Sequence, residues 1–219
     1  NEANIVKLFN SNLSRITISI DGATSETFEK IRVKSNFNEV VRNCKNLVKH
    51  FKKKIIRPEI SAWCVIQNDN VSEFKKIYEL CREIGFDKLT YQFYLSGWGK
   101  DEWNIINKNK RIDIKNIKDQ IKEVQIKGSK EGMEVNIFDE NLLSFSRQCV
   151  WPWESSYISK TGDVVPCCII GDEKVVSFGN IKDNSFKEIW NSEKYKNFRK
   201  DIKNNKIPDY CKNCYKEFN

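Results

Sequence analysis

Five cysteines in the last third of the sequence, Cys149, Cys167, Cys168, Cys211 and Cys214, sit beside proline, glycine and one another rather than inside apolar stripes. Thiolates in such settings hold soft metal ions or iron–sulfur clusters, which favour sulfur donors around a tetrahedral centre. The segment "CVWPWESSYISKTGDVVPCC" (149–168) reads as two short strands, "SSYIS" and "VVPCC", turned at "TGD". A hairpin folded there brings Cys149 and Cys167 near each other at its open end. "CKNC" (211–214) supplies two more sulfurs from one tight turn. Spacing alone leaves zinc and iron–sulfur both open. It also leaves Cys168 as a spare thiol, a substitute ligand or a core side chain. The competing reading, five packed or surface thiols, explains their surroundings poorly.

The other three cysteines differ. Cys44, Cys64 and Cys81 fall singly inside "VVRNCKNLV", "ISAWCVI" and "IYELCREIG" and read as small buried hydrophobes. His50, the one histidine, lies within a helix pattern and reads as a helix-face residue rather than a ligand.

The elements that must carry these residues follow from periodicity. "RITISID" (15–21) alternates and is β-branched, a strand, with Thr24 or Ser25 placed to cap a short helix after it. "NFNEVVRNCKNLVKHF" carries a helical stripe from Phe37 to Phe51. "EISAWCVIQ" is a second strand, "VSEFKKIYELCREIG" a helix ended by Gly85, and "KLTYQFYL" a third strand. Strands alternating with helices predict parallel β/α units, covered on at least one face. A long amphipathic stretch near 112–131 then leads through "GMEVNIF" towards the cysteines. The expected fold class is therefore α/β: three β/α units on a parallel sheet in residues 1–132, then a small cysteine-rich α+β domain with a β-hairpin in 133–219. Tyr91, Tyr94 and Trp98 could line a cleft, although strand aromatics usually pack in cores.

Composition excludes several classes. Hydrophobic residues make up 39% of the 219, enough for a core, so a disordered chain is excluded. No apolar run is long enough to span a membrane, and the opening residues lack the basic-then-apolar order of a signal peptide. Unpaired cysteines then imply a reducing, cytoplasmic setting. The net charge of +8 would suit nucleic acid, but the lysines are interspersed with Glu, Asp and Asn, as on solvated helix faces, which argues against that partner.

The pattern "CVWPWESSYISKTGDVVPCC", with "FGNIKDNSFKEIWNSEKYKNFRK" and "CKNC", resembles the SPASM or shorter twitch domain of radical S-adenosylmethionine enzymes. "ITISIDGATSETFEKIRVKSNFNEVVRNCKNL" and "ISAWCVIQNDNVSEFKKIYELCREIGFDKLTYQFY" are similar to the fourth, fifth and sixth strand regions of their partial β/α barrel. The resemblance implies one auxiliary [4Fe–4S] cluster on Cys149, Cys167, Cys211 and Cys214. It also implies S-adenosylmethionine near Ser19, Asp21 and Arg32, with Arg32 approaching the cofactor carboxylate. It implies a 5′-deoxyadenosyl radical that abstracts hydrogen from a substrate, in some relatives a peptide or protein, and an electron donor. The CxxxCxxC loop and glycine-rich segment of the family are not in this sequence, so the chain is expected to be a portion of such an enzyme, inactive alone. The rival expectation is a non-catalytic zinc module held by four cysteine thiolates.

Overall fold

In the computed structural model, which describes residues 2–93, 95, 97–138 and 149–218, the chain divides into two compact units. One comprises Asn1–Tyr94 and Lys110–Asp139, the other Leu95–Asn109 and Glu140–Asn219. The elements run α1 (Glu2–Phe9), β1 (Arg15–Ser19), α2 (Ser25–Ile31), α3 (Phe37–Phe51), β2 (Glu59–Val65), α4 (Phe74–Ile84), β3 (Lys88–Gln92), α5 (Asp101–Lys108), α6 (Lys118–Glu131) and β4 (Glu134–Phe138). They continue with α7 (Trp151–Glu154), β5 (Tyr157–Ile158), β6 (Val164–Val165), α8 (Phe186–Trp190) and α9 (Glu193–Lys203). Tyr94 lies outside the described residues.

The first unit is a parallel sheet in the order β1-β2-β3-β4. Because side chains alternate along a strand, each strand presents two chemistries. Ile60, Ala62 and Cys64 of β2, with Leu89 and Tyr91 of β3, point to one side and are almost wholly buried. There they meet Cys44, Leu47, Val48 and Phe51 of α3, Phe74, Ile77, Tyr78 and Cys81 of α4, and Ile121 and Val124 of α6. Cys44, Cys64 and Cys81 are thus core side chains, as their apolar setting predicts, and burial pushes the Cys44 thiol up to about 11. Tyr91 is also core rather than cleft: its ring stacks on Phe74 at 4.2 Å and its hydroxyl donates to the Phe74 carbonyl oxygen at 2.7 Å. Trp98 falls in the other unit, with its side chain exposed. His50 sits edge-on to the Phe9 ring at 4.7 Å.

Local signals set the helix ends. Thr24 caps α2 by accepting from the Thr27 amide, Asn36 caps α3 through Glu39, and Gly85 closes α4 at φ +91°. The sheet has one strand more than the three β/α units expected, and the first unit runs past residue 132. Val135 and Ile137 turn to the helices while Glu134 and Asn136 turn away, an alternation short enough to read as a linker. Gly128 lets α6 lie against this strand. A Cβ there would stand 2.5 Å from the Met133 carbonyl oxygen and 2.7 Å from Val135 Cγ2.

In the second unit, β5 and β6 form the expected antiparallel hairpin. Gly162 turns it at φ +95°, donating to the Ser159 carbonyl. Residues 178–180 run along the free edge of β6: Val164 donates to Gly179 O, and Phe178 donates to Val164 O. Asp163 organises the turn by accepting from Thr161, Ser177 and Asn180. The core is Val164, Phe178, Ile189, Tyr195, Phe198 and Ile202, with Cys211 packed against it.

Candidate functional site

The sheet face turned away from the helices is polar. Arg15, Thr17, Glu59, Ser61, Trp63, Lys88, Thr90, Asn136 and Phe138 line a cavity of about 270 Å³ there. Arg15 pairs with Glu59 at 2.8 Å and Lys88 with Glu134 at 3.2 Å, so the charges at the strand starts neutralise each other. Further along, Thr17 and Ser61 share a hydrogen bond at 3.0 Å, and the Trp63 indole donates to Gln92 Oε1 at 2.8 Å. Such a surface offers hydroxyl, amide and aromatic groups without a net charge.

At the other end of β1 stand the three residues assigned to cofactor contact. Ser19 is the last residue of the strand, half-buried, on the polar side. Asp21 is 2% exposed and spoken for by its neighbours. Its Oδ2 accepts from Arg32 Nε at 2.6 Å and Nη2 at 2.5 Å, and its Oδ1 accepts from the Val65 amide at 2.8 Å. The structure therefore joins Asp21 to Arg32, a pairing the sequence does not reveal. Asn70 completes the knot, donating to the carbonyl oxygens of Asp21 and Val65. Glu73, missed by sequence reasoning, anchors the start of α2: the Ala23 amide and the Thr24 and Thr27 hydroxyls all donate to its carboxylate. Burial alone would raise its pKa. Those three donors outweigh burial and hold the carboxyl below its usual range.

In the second unit the four candidate ligand cysteines come from three segments, the approach to α7, the end of the hairpin, and the helix Asp209–Phe218. All eight cysteines are thiols, without a disulfide. Burial, then the neighbouring Cys167, Cys214 and Cys149, pushes Cys211 far above the ordinary thiol range. Cys214 is raised to about 11 by burial, Cys149 and Cys168. Burial takes Cys167 to about 12 against the pull of the Ile170 and Ile169 amides, with Cys168 and Cys214 raising it further. Cys211 thus lies within electrostatic reach of Cys149, Cys167 and Cys214, and Cys214 within reach of Cys149 and Cys168. Gathering like charges in one place costs energy that a metal cation removes, and binding would release the thiol protons. Among the described residues, no three of these side chains are closed into a coordinating group. The donor set nonetheless suits a sulfur-ligated centre: four thiols, partly buried, with backbone amides directed at one of them. Cys168 is on the surface, which leaves it out of the core but within reach of Cys214.

Around this array α9 supplies a residue that sequence reasoning passes over. The Arg199 guanidinium lies 4.2 Å from the ring centres of both Trp190 and Tyr195. Its Nε donates to Pro152 O at 2.7 Å and its Nη1 to Trp190 O at 2.8 Å. In sequence it is one basic residue among several on a lysine-rich helix.

Comparison with known proteins agrees with both halves. Residues 149–215 match the SPASM family, described as an iron-sulfur cluster-binding domain. The AdoMet-dependent heme synthase of Methanosarcina barkeri is 25% identical over 216 residues, covering 89% of this chain and 58% of that protein. The PqqA peptide cyclase of Gluconobacter oxydans is 26% identical over 161 residues, covering 68% of this chain and 41% of that protein. Streptococcus suis SuiB, in its crystal structure with the precursor peptide SuiA, shares the fold. Its TM-score is 0.58 at 12% identity, over 88% of this chain and 45% of that one. Residues 149–215 are thus similar to the SPASM family, and the relatives matched along most of the chain are AdoMet-dependent heme synthases. It spans about half the length of the curated relatives it matches. Among the described residues, no helix is long and apolar enough to cross a membrane.

Proposed function

We propose that this chain holds one auxiliary [4Fe–4S] cluster on Cys149, Cys167, Cys211 and Cys214, within an enzyme that modifies a peptide or protein by radical chemistry. The observation that carries the reading is the mutual influence of thiols from three separate segments inside one unit. The match of that unit to an iron-sulfur cluster-binding domain supports it. The peptide assignment rests on the PqqA peptide cyclase and on SuiB, whose structure contains its precursor peptide.

S-adenosylmethionine, when bound and reductively cleaved by an electron from a donor protein, supplies a radical able to take a hydrogen atom from substrate. The chain's own residues have distinct tasks around that chemistry. Ser19 presents a hydroxyl at the strand end. Arg32, 39% exposed along its side chain, keeps an edge free to meet a carboxylate while Asp21 fixes its orientation. Asp21 is then a positioning residue. The hydroxyl and amide face of the sheet orients substrate without imposing charge, and Trp63 and Phe138, with rings 5.7 Å apart, exclude water from its far end.

Anaerobic purification followed by iron, acid-labile sulfide and zinc analysis tests the proposal. About four irons and four sulfides per chain, lost in Cys211→Ala/Cys214→Ala, are the expected result. One zinc in a colourless protein would refute it and establish a structural zinc module instead.

A further inference from the structure

Arg199 is an anomaly in the second unit. Cations drawn into a protein interior are normally matched by a carboxylate, because an uncompensated charge there is costly. Among the described residues no carboxylate forms an ion pair with Arg199. The side chain is half-buried, yet its Nη2 is sealed from water and has no hydrogen-bond partner. The other two nitrogens donate to carbonyl oxygens, which satisfy hydrogens but not charge. Two aromatic faces at 4.2 Å give a partial compensation. Burial pulls the guanidinium below its usual range, opposed only by Tyr195.

The surroundings indicate where the missing anion belongs. Pro152, which accepts from Arg199, lies three positions after Cys149. Tyr195, on which the guanidinium stacks, is acted on with opposite sign by Arg199 and by Cys167. Cys211 packs against the same core that contains Tyr195. All three thiol-bearing segments therefore meet the residues that hold Arg199.

Resting on the cluster reading above, we propose that Arg199 is the counter-charge of the iron–sulfur centre held by Cys149, Cys167, Cys211 and Cys214, and that it raises that centre's reduction potential. Four thiolates around a [4Fe–4S] core leave a net negative charge, and one-electron reduction adds another. A fixed cation nearby stabilises the reduced form more than the oxidised one, and net charge is among the levers that set such potentials. Among the described residues Arg199 has no counter-anion of its own, so the same residue favours assembly of the cluster.

The test compares the chain as purified with Arg199→Lys and Arg199→Gln, each reconstituted anaerobically with ferrous iron and sulfide. Midpoint potentials come from dithionite titration with mediators, read by electron paramagnetic resonance, and unfolding midpoints come from urea. At the wild-type midpoint, Arg199→Gln should raise the ratio of oxidised to reduced cluster at least about tenfold, a downward shift of about 59 mV for one electron. Arg199→Lys, which keeps the charge and loses the planar stack, should stay within about threefold of wild type. Both variants lose stacking, so both should unfold earlier by similar amounts. Equal shifts in the two variants, or none, would overturn the proposal and leave Arg199 as a clasp between α7, α8 and α9. If only Arg199→Lys takes up iron, charge is required for assembly and the proposal stands. If neither does while wild type loads, the requirement is for guanidinium shape and the proposal falls. A wild-type chain that takes up no iron removes the cluster reading itself, and is told apart because the failure lies in the unaltered protein.

Discussion

Asp21→Asn tests directly how the first unit holds its candidate cofactor residues. Three hydrogen bonds end on that carboxylate, two from Arg32 and one from the Val65 amide. Asparagine keeps one accepting oxygen and sets an N–H where the other oxygen stood. It can serve Arg32 or Val65, and it turns a donor against whichever it does not serve. Losing a charge-assisted hydrogen bond costs about 1.5–3 kcal/mol, and leaving a buried amide unpaired costs about 1–3 kcal/mol. Water reaches Arg32 and returns part of that loss, which leaves a net expectation of about 3 kcal/mol. In a unit of this size one kcal/mol moves Tm by roughly 4 °C, so Tm should fall by about 12 °C. Thermal unfolding followed by circular dichroism, backed by a urea titration, reads this. Arg32→Gln leaves the buried carboxylate without its cation and should cost about as much. In the double variant the two losses should overlap by about 1–2 kcal/mol. Strict additivity, or a loss under about 0.5 kcal/mol for Asp21→Asn, would refute the clasp and return Asp21 to direct ligand contact.

Two further outcomes follow from the same geometry. Glu73→Gln should destabilise by about 1–2 kcal/mol at neutral pH, since an amide cannot accept all three of the bonds that end on the carboxylate. The folded carboxyl is depressed from its ordinary 4.5, so its contribution is fully present above that pH and lost as pH falls through the folded value. Urea midpoints of wild type and variant should therefore converge below about pH 4.5, and a constant gap across that range would count against the assignment. Gly162→Ala should cost about 2 kcal/mol, the strain of its positive φ plus a Cβ 2.8 Å from Asn180 Oδ1. Gly132→Ala, also positive in φ but facing open space, should cost about half that. Equal losses in urea unfolding would show that the Asn180 contact is immaterial.

Much of this architecture is legible in the sequence because it is local. Strand alternation in "RITIS", the stripe from Phe37 to Phe51, the Thr24 cap and the "TGD" turn each act within a few residues, and each folds as its pattern predicts. β4 escapes because five alternating residues are too few to distinguish a strand from a linker. The pairing of Asp21 with Arg32 and of Glu73 with Thr24 escapes for a different reason: chain reversals and packing create it, and neither end carries a local signature. Arg199 is the clearest case. Helical periodicity assigns it a position between Phe198 and the exposed lysines, and only the arrival of Trp190 and Pro152 draws that position in from the surface.

The segment 95–109 interrupts the first unit in sequence yet belongs to the second. Lys100 pairs with Asp172, and Gly99 nestles against Ile170 and Val175, contacts made across a long stretch of intervening chain. A single cut that frees the whole cysteine-bearing unit therefore carries residues 110–139 of the first unit with it. A peptide beginning at residue 149 would leave Asp172 without its cation and expose the apolar patch that Gly99 covers. During synthesis, residues 95–109 emerge with nothing to fold upon until the hairpin and the strand edge behind it have formed. Folding of the second unit is thereby bound to the order in which its two separated stretches of chain are made.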